Sequence, residues 1–159
     1  MRTYLLALLL LAGCGSQDQG ADNQAGSETG PVFPPSAGLT GLYEGGSAAQ
    51  PDQLCMIDED KAPARFGLVV WGANDHSCLG AGEAVREGDR LRLTMAGDST
   101  CRIDARIEGD RIVLPADVPE GCAYYCGARA RFAARTLTRK GADAAAARKA
   151  TDLAGDPLC

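Results

Sequence analysis

The sequence predicts a mainly β fold. The expected architecture is a small antiparallel meander or barrel-like sheet with a C-terminal helix over about residues 143–154, stapled by disulfides. Three observations carry this. Turn signals recur at short intervals through the middle of the chain, as Glu87-Gly88-Asp89-Arg90, Gly97-Asp98 and Glu108-Gly109-Asp110-Arg111. Apolar and polar residues alternate between them, the pattern of strands with one buried face. Cys55, Cys78, Cys101, Cys122, Cys126 and Cys159 form an even set suited to a disulfide framework.

Leu54-Cys55-Met56-Ile57 reads as the first strand. Ala64 to Trp71 is nearly continuously apolar, which suits a central strand. Residues 79–86, 90–96, 100–107 and 111–114 then form a meander. Leu91, Leu93 and Met95 alternate with Arg90, Arg92 and Thr94; Cys101, Ile103 and Ala105 alternate with Arg102, Asp104 and Arg106. Residues directly opposite in a hairpin share a face. Placing Met95, Leu93 and Leu91 opposite Cys101, Ile103 and Ala105 therefore requires a three-residue loop, Gly97-Asp98-Ser99, and puts Cys101 in the core. Cys78 and Cys101 then lie two strands apart, about 10 Å in a flat sheet, which disfavours a bridge between them. Residues 129–139 add a further strand. Asp143 is expected to cap a helix running through Ala144–Ala147 to near Gly155, with Pro157 just beyond and Ala146, Ala150 and Leu153 facing inward. Cys159 should staple this tail to the sheet.

The beginning of the chain has a different character. Arg2 precedes the apolar run Tyr4-Leu5-Leu6-Ala7-Leu8-Leu9-Leu10-Leu11. This run is shorter than the ~20 residues that span a bilayer, and it has the length and flanks of a signal-peptide core. Leu11-Ala12-Gly13-Cys14 comes next, and it resembles the lipobox of bacterial lipoproteins. The resemblance implies that residues 1–13 are a signal peptide and that Cys14 becomes the first mature residue, carrying lipid on its thiol and amine. More than one acyl chain is needed for stable attachment, which a diacyl or triacyl cysteine supplies. Gly15 and Ser16 resemble the outer-membrane default of a Gram-negative envelope. Residues 15–38 are polar and glycine-rich, end in Pro31-Val32-Phe33-Pro34-Pro35, and show no apolar periodicity. With Cys14 they are expected to be a lipidated, disordered tether over 14–38. Residues 39–159 then form a single disulfide-rich domain. The resemblance covers the leader alone.

Charge and composition narrow the function further. The chain carries 16 Lys and Arg against 21 Asp and Glu, a net charge of −5. Removing Arg2 with the leader makes it more acidic, which argues against a nucleic-acid partner. Aromatic residues are only 5% of the chain, so the core is thin. Three bridges at roughly 2–4 kcal/mol each would then supply a large share of the stability.

Several clusters could carry chemistry. Asp75-His76-Ser77 holds the residue types of a hydrolase triad and contains the chain's one histidine, but triads are defined by geometry rather than adjacency. Cys122-Ala123-Tyr124-Tyr125-Cys126 is one residue longer than a thioredoxin-type redox pair and lacks the haem-attachment histidine, so structural bridges are expected. Asp58-Glu59-Asp60 is acidic, but Pro63 stands where a calcium loop needs glycine. No metal or cofactor is expected. Arg129, Arg131, Arg135 and Arg139, extended by Lys140, Arg148 and Lys149, make a basic segment in an acidic protein. It suits anionic headgroups, cell-wall polymers or an acidic partner, or else a solvated face balanced by nearby carboxylates. Tyr124 and Tyr125 sit in a disulfide-fixed loop of the kind that serves as an interaction surface; the plainer expectation is one core ring and one half-exposed.

The expected function is therefore that of a lipid-anchored cell-envelope protein acting as a binding module, facing the periplasm from the outer membrane. The alternative is an accessory lipoprotein of an outer-membrane complex, and an envelope hydrolase ranks last. The expected partners are the membrane, through the anchor, and an envelope protein or cell-wall polymer.

Overall fold

The computed structural model describes residues 38–58 and 63–159. The lipobox with Cys14, the tether, and Glu59 and Asp60 of the acidic run lie outside them. Eight strands, β1 (Gly41–Gly46), β2 (Pro51–Ile57), β3 (Ala64–Trp71), β4 (Ser77–Glu87), β5 (Arg90–Met95), β6 (Asp98–Glu108), β7 (Arg111–Val113) and β8 (Thr136–Gly141), close into an antiparallel barrel. Each strand pairs with its sequence neighbours, and β8 closes on β1. The C-terminal helix α1 spans Ala144–Ala147.

Period-two alternation places one side-chain set inside. Tyr43, Leu54, Met56, Phe66, Leu68 and Val70 meet Leu91, Leu93, Ile103, Ile112 and Leu137 in one buried cluster. Eight strands enclose a space that side chains can just fill. The near-copies around Gly88 and Gly109 are two-residue turns, pairing Glu87 with Arg90 and Glu108 with Arg111. Each has its positive φ (67° and 65°) on the first central residue, the type II′ pattern that matches strand twist.

The Ala96-Gly97 connection departs from expectation. Leu91 and Leu93 do face Ala105 and Ile103, but Met95 pairs with Asp98, not Cys101. The loop is two residues long, with the positive φ of 72° on its second residue, Gly97. That turn hand splays the strands, and β6 absorbs the difference in a register shift between Thr94 and Met95. Cys101 is still fully buried.

Two further expectations are corrected. Residues 129–135 do not join a strand; β8 begins at Thr136. The residues before it fold over the barrel mouth, with Ala134 in a left-handed conformation at φ 55°. The helix stops at Ala147 rather than running to 154. Asp143 does cap it, its side chain accepting from the Ala146 N–H at 2.7 Å. Beyond it the tail turns back: Asp152 Oδ1 accepts from Ala154 and Asp156 N–H at 2.8 and 2.9 Å, and Thr151 bridges to Pro157. Leu153 is therefore exposed, whereas Ala147 and Ala150 are buried against Leu42, Cys55 and Ile57 on the barrel's outer face.

The bridges join Cys55 to Cys159, Cys78 to Cys126, and Cys101 to Cys122. The first fixes the tail to β2. The other two fix the long connection between β7 and β8. Because each strand reverses the chain, the loops sort to two ends. The connection end carries 47–50, 72–76, 96–97 and 114–135. The turn end carries the turns at Gly88 and Gly109 and the residues preceding β1.

Candidate interaction surface

The knuckle at the connection end is built from residues that cannot relax away from it. Glu120–Tyr125 form a short 3-10 helix. Cys122 is bonded to β6 and Cys126 to β4, so the turn is fixed on two strands. The Cys126 N–H donates to Ala123 O at 3.1 Å and closes the loop. Tyr125 donates to Asp98 Oδ2 at 3.1 Å. Asp98 also accepts from the Thr100 N–H and hydroxyl at 2.8 and 2.6 Å. The Thr100 hydroxyl first, then its backbone N–H, hold the Asp98 carboxyl below its usual range. Desolvation, followed by the hydrogen bond to Asp98, raises the Tyr125 phenol. Tyr124 packs edge-to-face on Tyr125, with ring centroids 5.5 Å apart, and is 87% exposed. Tyr125 is half-buried against the core, so both rings are one step more exposed than the plainer expectation of one core ring and one half-exposed.

The basic segment is dispersed. Arg129, Arg131, Lys140, Arg148 and Lys149 are exposed. Arg135 turns into the connection end, donating to Trp71 O at 3.1 Å, with Nε 3.6 Å from Asp52 Oδ2. Asp52, an inward residue of β2, also accepts from the Trp71 N–H at 2.7 Å. Arg139 is buried at the opposite end. It stacks over the Tyr43 ring, 5.0 Å from the centroid, and donates to the Tyr43 hydroxyl and to Gly38 O. Tyr43 in turn donates to Leu39 O at 3.0 Å. Burial pushes the Tyr43 phenol above its ordinary value, against the lowering pull of Arg139. These four arginines therefore do not form one surface: Arg135 and Arg139 hold opposite ends of the barrel together. Residues 129–135 form neither a strand nor a helix that would line the arginines up; the chain crosses the barrel mouth there instead.

Asp75-His76-Ser77 runs from the last residue of a short 3-10 turn (Ala73–Asp75) to the first of β4. Asp75 accepts from Gln50 at 3.4 Å. No hydrogen bond joins the His76 imidazole to Asp75 or Ser77 among the described residues. Nor does any group of three or more His, Cys, Asp or Glu side chains there have metal-binding geometry.

One feature was not legible in the sequence. The outer face of β4 is a groove between the C-terminal tail and the β5–β6 tip. Its larger part, about 720 Å³, is lined by Arg65, Ala81, Glu83, Thr94 and Leu158 among others. A hollow of about 380 Å³ continues past Ala81 and Leu158 to Tyr125. No sequence signal points to it, because its floor is small side chains and its wall is a tail placed by a disulfide.

The chain matches no family model, no curated protein and no solved structure. No helix among the described residues is long and apolar enough to cross a membrane.

Proposed function

We propose that this protein is a lipid-anchored binding module of the bacterial cell envelope, which engages a partner protein through the Cys122–Cys126 knuckle. The observation that carries the reading is Tyr124, an 87% exposed aromatic ring on a turn clamped by two disulfides. Holding an exposed ring rigid removes most of the ordering cost of burying it in an interface, and tyrosine is enriched among residues that dominate binding. A convex knob suits a partner with a concave pocket, which a linear cell-wall polymer lacks. The closed barrel offers no free strand edge for pairing, and its interior is filled, so recognition falls to the outer surface. The lipobox resemblance at Leu11–Cys14 supports the anchoring and the envelope location.

The test places a photo-crosslinking amino acid at Ala123 in the anchored protein in intact cells. The expected result is one dominant protein adduct that disappears when Tyr124→Ala is added. An adduct that survives Tyr124→Ala, or label found only on glycan, would reject the knuckle as the binding site. A stoichiometric adduct that co-purifies as a stable complex would identify an accessory subunit rather than a transient binder.

A further inference from the structure

The outer face of the sheet brings two like charges together. Arg90 of β5 stands directly opposite Arg106 of β6. The Ile107 N–H donates to Asp89 O at 2.7 Å, which makes the neighbouring Arg90/Arg106 pair the non-hydrogen-bonded kind, where side chains come closest. Like charges directly opposite each other are destabilising. Glu87 faces Arg90 from β4, but its carboxylate is 3.4 Å from Arg92, which also takes the facing Asp104 at 3.2 Å. Arg90 and Arg106 are exposed and make no ion pair or side-chain hydrogen bond among the described residues. They line a shallow cavity of about 280 Å³ together with Val85, Glu87, Arg92 and Asp104. That is below the roughly 300–1,000 Å³ of pockets for drug-sized ligands.

We infer that Arg90 and Arg106 form a binding site for a phosphate group. Two guanidinium forks on adjacent strands, neither held in an ion pair among the described residues, offer paired donors to one tetrahedral anion, and its charge offsets the repulsion between them. Arg92 stays with its carboxylates and holds the rim. The site is at the turn end, the end at which Gly38 leads back toward Cys14. Either the headgroup of an anionic lipid or a free phosphate can supply this chemistry. The inference does not rest on the Tyr124 surface at the opposite end.

The full mature protein in neutral detergent is titrated with inorganic phosphate, and the arginine Nε–H NMR signals are followed. In parallel, the anchored protein is compared in phosphatidylcholine vesicles with and without phosphatidylglycerol. Saturable shifts confined to Arg90 and Arg106 are expected. Arg90→Gln or Arg106→Gln should weaken binding about tenfold, the loss expected for one charge-assisted hydrogen bond. Thermal unfolding supplies a second readout. Arg106→Gln should melt higher than the parent without phosphate and gain less from adding it, needing about tenfold more phosphate for the same shift. Shifts with vesicles alone assign the headgroup, and shifts with phosphate alone assign a soluble anion. If neither arm gives a saturable shift, or the shifts survive both substitutions, the site does not exist.

Discussion

The two ends of the barrel are closed by different means. At the connection end, residues 114–135 fold across the mouth, with Phe132 fully buried. Two disulfides tie this segment to β4 and β6, and Asp52 and Arg135 grip Trp71 beneath it. At the turn end no bridge ties a loop among the described residues; the third, Cys55–Cys159, pins the C-terminal tail to the outer face of β2. Two tight turns, Leu39 and the buried Tyr43–Arg139 pair close the turn end. The difference follows from the chain. A long connection loses far more backbone entropy on ordering than a two-residue turn. In a sequence poor in aromatics, apolar burial does not offset that loss. Cross-links that lower the entropy of the unfolded chain are placed where the ordering cost is highest.

The largest effect that would break this contrast is removal of both bridges. Replacing Cys78, Cys101, Cys122 and Cys126 by alanine should cost about 3–4 kcal/mol per bridge by loop closure, comparable with the whole stability of a small domain. The chain's single tryptophan reports on this end through its backbone bonds to Asp52 and Arg135. Its fluorescence should shift to that of solvated Trp71. A native Trp71 signal without the bridges would remove the distinction between the ends.

Asp52→Ala comes next. It leaves the Trp71 N–H without its acceptor and Arg135 without its ion-pair partner. With the Arg135 side chain 30% exposed, water takes part of the charge, so about 2 kcal/mol is expected from the urea midpoint. Tyr43→Phe at the other end should cost about 1 kcal/mol and speed hydrogen exchange of amides around Leu39 without touching Trp71. If the ends close independently, the double variant should be additive to within about 0.5 kcal/mol.

Alkaline pH sharpens the contrast. The folded Tyr43 phenol titrates above its ordinary 10.0, so the unfolded chain ionises first. The phenol's contribution is fully present below pH 10.0 and is lost as pH rises through the folded value. Tyr125 is also raised, so the Tyr43 part is read from the difference in stability between the parent and Tyr43→Phe, which should be constant below pH 10 and shrink as pH rises above it. The smallest expected effect is Ala134→Gly, a gain of about 0.5 kcal/mol. It relieves a left-handed alanine at φ 55° but adds freedom to the unfolded chain. Unchanged stability at the turn end in this variant would confirm that the strain is local.

Legibility differed from strand to strand. The alternation of Leu91 and Leu93 with Arg90 and Arg92 marks β5 and its partners, because a sheet with one wet face must repeat every two residues. β1 carries no such mark. Its sequence, Gly41-Leu42-Tyr43-Glu44-Gly45-Gly46, is half glycine, which strand propensity disfavours. Those glycines are what let β8 approach: a Cβ at Gly45 would lie 2.3 Å from Thr136 O, and one at Gly41 2.1 Å from Gly141 O. The residues that close the barrel are thus the ones that hide the strand. The Tyr124 knuckle was legible as a cysteine-bounded aromatic pair. The β4 groove was not, because it is bounded by elements remote in sequence.

Local rules in the sequence determined the mainly β class, the two Gly-Asp turns, the Asp143 cap and the register of Leu91 and Leu93 with Ala105 and Ile103. Each depends on residues within one hairpin or one helical turn. Tertiary structure alone decided the closure of β8 on β1, the cysteine partners, the short helix, and the opposite fates of Arg135 and Arg139. Those depend on contacts such as Tyr43 with Arg139 and Asp52 with Arg135. Such contacts form only after the barrel has brought distant segments together, and no periodicity along the chain encodes them.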